Sequence, residues 1–164
     1  MKFHSTWYSS NIMSLAVLGK ETLDDLEKMV ADLFNNVSNK NVEGPSWPHH
    51  PYLPKDNRTI TYIVPIKDFR ELYIVFPIPD MRENYKSGPV HYISHLIAHE
   101  GKGSLLSELK ARKWCYNLDA YQNSAAKGFS FFEIWVNLTV EGVDHTDDIV
   151  SLVFQVIFFQ YHYC

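Results

Sequence analysis

The chain has 164 residues, a hydrophobic share of 46 % and a formal net charge of −4. That composition supports a packed core and excludes a globally disordered chain. Its basic residues are scattered rather than gathered on one face, which excludes a nucleic-acid footprint, and the length allows one ordinary domain or parts of two.

Two cysteines, Cys115 and Cys164, are too few for a disulfide framework, so a reducing, cytoplasmic setting is the expectation. Residues 12–18 form a short apolar run without a charged leader or a small-residue cleavage site. The run reads as a buried strand rather than a signal peptide, and Gly19 then opens a turn. Thr22 is a good N-cap, with Asp24 and Asp25 in the first helical turn, where the helix dipole favours acids. Leu23, Leu26, Met29, Val30, Leu33 and Phe34 follow at helical spacing and predict one apolar stripe, ending near residues 35–37.

Residues 39–57 carry Gly44, Pro45, Pro48, Pro51 and Pro54. Proline every three residues forbids helix and favours an extended connection, so this stretch reads as a linker; a surface loop is the plainer alternative. Beyond it, residues 59–65 alternate as a strand does, and residues 72–76 form a more continuous apolar strand closed by Pro77-Ile78-Pro79. Pro89 suits the first turn of a helix running to about residue 99, which Gly101 and Gly103 interrupt. Ser104 is an N-cap for a second helix through about residue 112. Residues 116–122 and 129–139 predict strands around a turn at 125–128, and residues 142–160 a final helix. The order is an α+β or layered α/β pattern. The apolar run at the end of the chain is too interrupted to span a membrane, which takes roughly 20 apolar residues. It is also too apolar to face water on every side, so it is expected to pack on further residues.

His91, His95 and His99 stand at i, i+4 and i+8, a spacing that puts them on one helix face and could hold zinc weakly. Glu100 is rotated off that face. No carboxylate lies between the histidines, where a metallopeptidase keeps the base for its metal-bound water. The other reading is a mixed polar face used for packing or peptide contact. Ser94, Ser104 and Ser107 have no nucleophile-elbow setting, and Gly101-x-Gly103-Ser104 lacks the full phosphate-loop fingerprint. Cys115 follows Lys110, Arg112 and Lys113, but a buried inert thiol is expected beside Trp114.

Residues 91–114, HYISHLIAHEGKGSLLSELKARKW, and the preceding IVPIKDFRELYIVFPIPD resemble the insulin-degrading enzyme branch of the M16 zinc metallopeptidases. The resemblance runs from about residue 2 to about residue 155, and the family's His-x-x-Glu-His motif is absent. It implies a layered α/β sandwich of the M16 peptidase type, incomplete, with parts of two homologous domains. Residues 1–38 would be the tail of the zinc-bearing domain, 39–57 the linker, and 58–164 the first part of the second, non-catalytic domain. The parent enzyme would enclose peptides and hydrolyse them with zinc held outside this chain. The chain itself would hold no catalytic residue and no metal, and would be inactive alone. Its implied partners are peptide substrates, the remaining domains of the same protease and a further copy in a homo-oligomer, with neither nucleic acid nor membrane.

The resemblance also implies a substrate-anchoring exosite for the amino-terminal end of a peptide. Its helix part would be His95, Leu96, Ile97, Ala98, His99, Glu100 and Gly101, and its strand part Leu118, Asp119, Ala120, Tyr121 and Gln122. The family typically has glycine at position 98 and Val-Gly-Gly at 119–121, so the exosite is expected to be narrowed or altered. The alternatives are an ordinary strand at 118–122, and a stand-alone peptide-binding or regulatory module that pairs with a full-length protease.

Overall fold

The structure, a computed structural model, describes residues 2–163, with the side chains of all but Pro54 and residues 160–163. Cys164 lies outside the described residues. The chain divides into two compact units, Met1–Pro45 and Ser46–Cys164, and the division falls within the proline-rich stretch.

In the first unit, a short helix α1 (Lys2–Trp7) and a turn of 3-10 helix precede α2 (Leu23–Phe34). Thr22 caps α2 as expected: its Oγ1 accepts the Asp25 N–H at 3.3 Å and donates to Asp25 Oδ2 at 2.7 Å. The apolar stripe is present, yet no residue of α2 is buried. Residues 12–18 are not the expected strand; Ile12 ends the 3-10 turn, residues 13–18 are irregular, and Leu18 is fully exposed. A strand satisfies its backbone groups only beside another strand, and the described residues of this unit supply none. The two ends of the unit are tied by polar contacts instead. Buried Ser9 accepts the Lys40 N–H at 2.8 Å, and Asn11 Nδ2 donates to the Val42 carbonyl at 2.7 Å.

The second unit is built on three antiparallel strands, β1 (Glu71–Pro79), β2 (Cys115–Ala126) and β3 (Phe129–Leu138), in the order β1-β3-β2. Helices α3 (Pro89–Ile97), α4 (Leu105–Ala111) and α5 (Thr146–Tyr163) cover one face. Along β3, Ser130, Phe132, Ile134, Val136 and Leu138 are buried while the residues between them are half-buried, the two-residue period of a sheet with one packed face. Ile134 and Val136 meet Ile97, Leu106, Leu109, Ile149 and Val153, all of them at most 1 % exposed.

Two strand expectations change. Residues 59–65 are irregular and open to water, with Tyr62 and Val64 each 90 % exposed, because no described strand pairs with them. β1, in contrast, continues through Pro77 and Pro79 instead of closing there. It is an edge strand, and alternate N–H groups of an edge strand have no ladder partner for proline to remove.

Residues 47–52 lie against the β2–β3 turn. Trp47 donates its N–H to the Lys127 carbonyl at 2.7 Å, and the His50 ring meets Phe129 and Phe131 edge-on at 5.1 and 5.0 Å. Gly128, at φ +117°, is the residue this approach needs, since a Cβ there would strike the Trp47 carbonyl. Asp80, just past β1, accepts the Gly128 N–H at 3.0 Å and pairs with Arg82, which in turn donates to the Ala126 carbonyl at 2.9 Å. One carboxylate thus joins the end of β1 to the hairpin.

Candidate functional site

Pro89 opens α3 after Gly88 in a left-handed conformation, and the helix ends at Ile97, two residues earlier than expected. That difference breaks the three-histidine helix face, although the His95 and His99 rings still meet edge-on at 5.9 Å. His91 and His95 stand one turn apart on α3, but His99 lies past its end, where Nδ1 accepts the Gly101 N–H at 2.7 Å. An i, i+8 face needs about two turns of continuous helix, and α3 stops before completing the second turn from His91. Among the described residues no three His, Cys, Asp or Glu side chains are placed to hold a metal ion. The described residues do not fit zinc.

The helix end separates into three environments. His95, His99 and Glu100 are exposed, Leu96, Ala98 and Gly101 are half-buried, and Ile97 is in the core. α3 and α4 both pack on β2, which brings this helix end beside the strand named with it. On β2, Leu118 and Ala120 are buried beneath the helices, while Asp119 and Tyr121 point to the opposite face of the sheet. Gln122 is half-buried, its Nε2 donating to Ser130 Oγ at 3.1 Å. The strand side chains therefore do not form one surface. What the strand offers is its edge.

The phase of that edge follows from two prolines. Pro77 is paired with Phe131, and Pro79 with Phe129. Having no N–H, each proline must sit in a non-hydrogen-bonded pair, so β3 turns the backbone groups of its odd-numbered residues toward β2. The Leu138 N–H, donated to the Arg70 carbonyl at 2.9 Å on the β1 side, has the complementary phase. Asp119 and Tyr121, opposite Trp135 and Glu133, are then the bonded partners on β2. Leu118, Ala120 and Gln122 consequently direct their N–H and C=O groups outward, and no further described strand pairs there. Register shifts between Cys115 and Asn117 and between Asn123 and Ala126 bound this regular section. Beside Gln122 the edge meets a hollow of about 350 Å³ lined by Met81, Arg82, Tyr85, Val90 and His91.

Three polar groups shape the surroundings. Asp119 turns its carboxylate back and accepts the Ala120 N–H at 2.8 Å. Burial pushes the Tyr121 phenol above its ordinary pKa, and the Glu133 carboxylate adds to the rise. The Cys115 thiol is buried and also pushed up by burial, Lys110 opposing, so it remains the unreactive thiol expected. Reading side chains along the sequence missed the outward backbone phase of β2. The signal was available as the alternate prolines 77 and 79 on the strand paired with β3.

Comparison with known proteins agrees with this fold. The family described as Peptidase M16 inactive domain matches residues 1–157. The insulin-degrading enzyme of Drosophila melanogaster is 54 % identical over 155 residues, 94 % of this chain and 16 % of that protein. A Caenorhabditis elegans relative whose name describes a zinc protease is 41 % identical over 160 residues, 97 % of this chain and 19 % of its own length. The crystal structure of pitrilysin superposes with a TM-score of 0.78 at 22 % identity, covering 99 % of this chain and 18 % of that one. This chain therefore spans less than a fifth of each of these three proteins.

Proposed function

The chain belongs to the M16 peptidase family, and from that premise we propose that β2 and the end of α3 hold extended peptides for a longer, zinc-dependent peptidase whose hydrolysis takes place outside this chain. The observation that carries this reading is the outer edge of β2, with backbone groups of Leu118, Ala120 and Gln122 facing away from the sheet. A peptide laid along it would add a fourth strand, with affinity from main-chain hydrogen bonds and little demand on sequence. Exposed Glu100 would pair with the amino-terminal ammonium, and His95 and His99 would add donors or acceptors nearby. The covered side of the sheet, with α5 beyond it, would serve as wall between the bound peptide and the remaining parts of the enzyme.

The test uses the 164-residue chain and a fluorescently labelled, reduced and alkylated insulin B chain, a peptide suggested by the name of the fly relative. Saturable binding by anisotropy is expected, without cleavage. Gln122→Pro removes one outward N–H and costs no ladder bond, as Pro77 does in β1. It should weaken binding about tenfold while the far-ultraviolet circular dichroism is retained. Absence of saturable binding, or binding indifferent to Gln122→Pro, refutes the reading.

A further inference from the structure

Of the three outward N–H groups on β2, the one at Ala120 is taken by a neighbour. Its hydrogen goes to Asp119 Oδ1 at 2.8 Å, a contact between adjacent residues on the same strand. The side chain of Asp119 belongs to the open face of the sheet, opposite Trp135, but its carboxylate reaches back over the edge to do this. Around it, the residues on that face paired in register are Tyr73, Trp135, Tyr121 and Glu133. None of them is a cation; the indole N–H of Trp135, opposite Asp119, is buried without a hydrogen-bond partner, and the carboxylate is bonded to the edge instead.

We propose that Asp119 is an internal competitor for the edge: in the free chain it occupies the central donor of the strand-addition site, and a peptide must displace it to bind. This rests on the strand-addition reading above and adds a residue that sets how readily the edge accepts a strand. A neighbouring peptide carbonyl and the Asp119 carboxylate cannot both be the full partner of one N–H. The carboxylate has the advantage of being tethered and charged, and a charge-assisted hydrogen bond is stronger than a neutral one. Strand addition therefore exchanges one hydrogen bond for another at the Ala120 N–H, and gains new ones at the Ala120 carbonyl and at Leu118 and Gln122.

Three variants of the 164-residue chain test this with the labelled insulin B chain. Asp119→Ala removes the acceptor and should tighten binding about three- to tenfold. Asp119→Asn keeps an acceptor oxygen while losing the charge, and should stay closer to the parent chain than Asp119→Ala does. Gln122→Pro reports separately on the edge. Backbone amide exchange of the free chain supplies a reading without peptide: Ala120 should exchange more slowly than a free edge amide and speed up about tenfold in Asp119→Ala, the same hydrogen bond being lost. If Gln122→Pro weakens binding while Asp119→Ala leaves affinity and Ala120 exchange unchanged, the edge holds peptides and the competitor is disproved. If Asp119→Asn tightens binding as much as Asp119→Ala, charge rather than the hydrogen bond is responsible and the proposal is likewise overturned. If Gln122→Pro has no effect, the strand-addition reading fails and takes the proposal with it.

Discussion

β1 and β2 flank the same central strand, yet they present opposite edges. β1 carries proline at two of its outward positions, Pro77 and Pro79, and so has lost donors that an incoming strand would use. β2 keeps backbone groups of Leu118, Ala120 and Gln122 directed outward, with one of its three donors closed by an aspartate. The same backbone phase that makes proline harmless on one side makes the other side available. Exposed edges invite pairing with other chains, and proteins blunt them with proline or charge. Here the permanent block stands on β1 and the displaceable one on β2.

The largest expected effect would break both edges at once. Ile134 is fully buried in β3, paired with Ile74 on one side and Ala120 on the other. Ile134→Ala should cost about 2–5 kcal/mol of stability in urea unfolding, from lost transfer energy and the cavity left behind. A cost near zero would mean that the sheet is not held by this central packing.

A smaller change tests the blunting of β1 alone. Pro77→Val restores an outward N–H and adds a β-branched residue on an edge, and self-association measured by sedimentation velocity should rise with protein concentration. If this variant stays as monomeric as its parent, proline is not what keeps β1 quiet.

The mildest test sharpens the link between β1 and the β2–β3 hairpin. Arg82 chiefly, then the N–H groups of Gly128 and Arg82, hold the Asp80 carboxyl well below the usual carboxylate range. A carboxyl depressed by folding contributes stability that is complete above its unfolded value of 3.8 and is lost as pH falls through the lower folded value. The melting temperature should fall as the solution is acidified below that unfolded value, and part of that fall should vanish in Asp80→Asn. An equally steep acid loss in both chains would place the sensitivity elsewhere.

Much of the local structure was legible in the residues. Thr22 and Ser104 marked the starts of α2 and α4 because each cap needs only an oxygen within three residues of the N–H it accepts. The strands β2 and β3 and the turn between them followed from alternation and from Gly128. The M16 resemblance identified the fold that the pitrilysin comparison supports. The strands expected at 12–18 and 59–65 were not realised, since apolar alternation describes a strand's faces but says nothing about whether a partner is present. The three histidines followed helical spacing, but α3 ends before the third.

The amino-acid sequence by itself determined features that depend on neighbours a few residues away: helix caps and the period of buried positions on β3. Only the tertiary structure decided which strands pair, which edge remains open, and that the Ala120 N–H lies outside the ladder where Asp119 can take it. Those outcomes depend on residues far apart along the chain. The outward phase of β2 is set by prolines on β1, two strands away, and is transmitted through the alternating hydrogen bonds of β3.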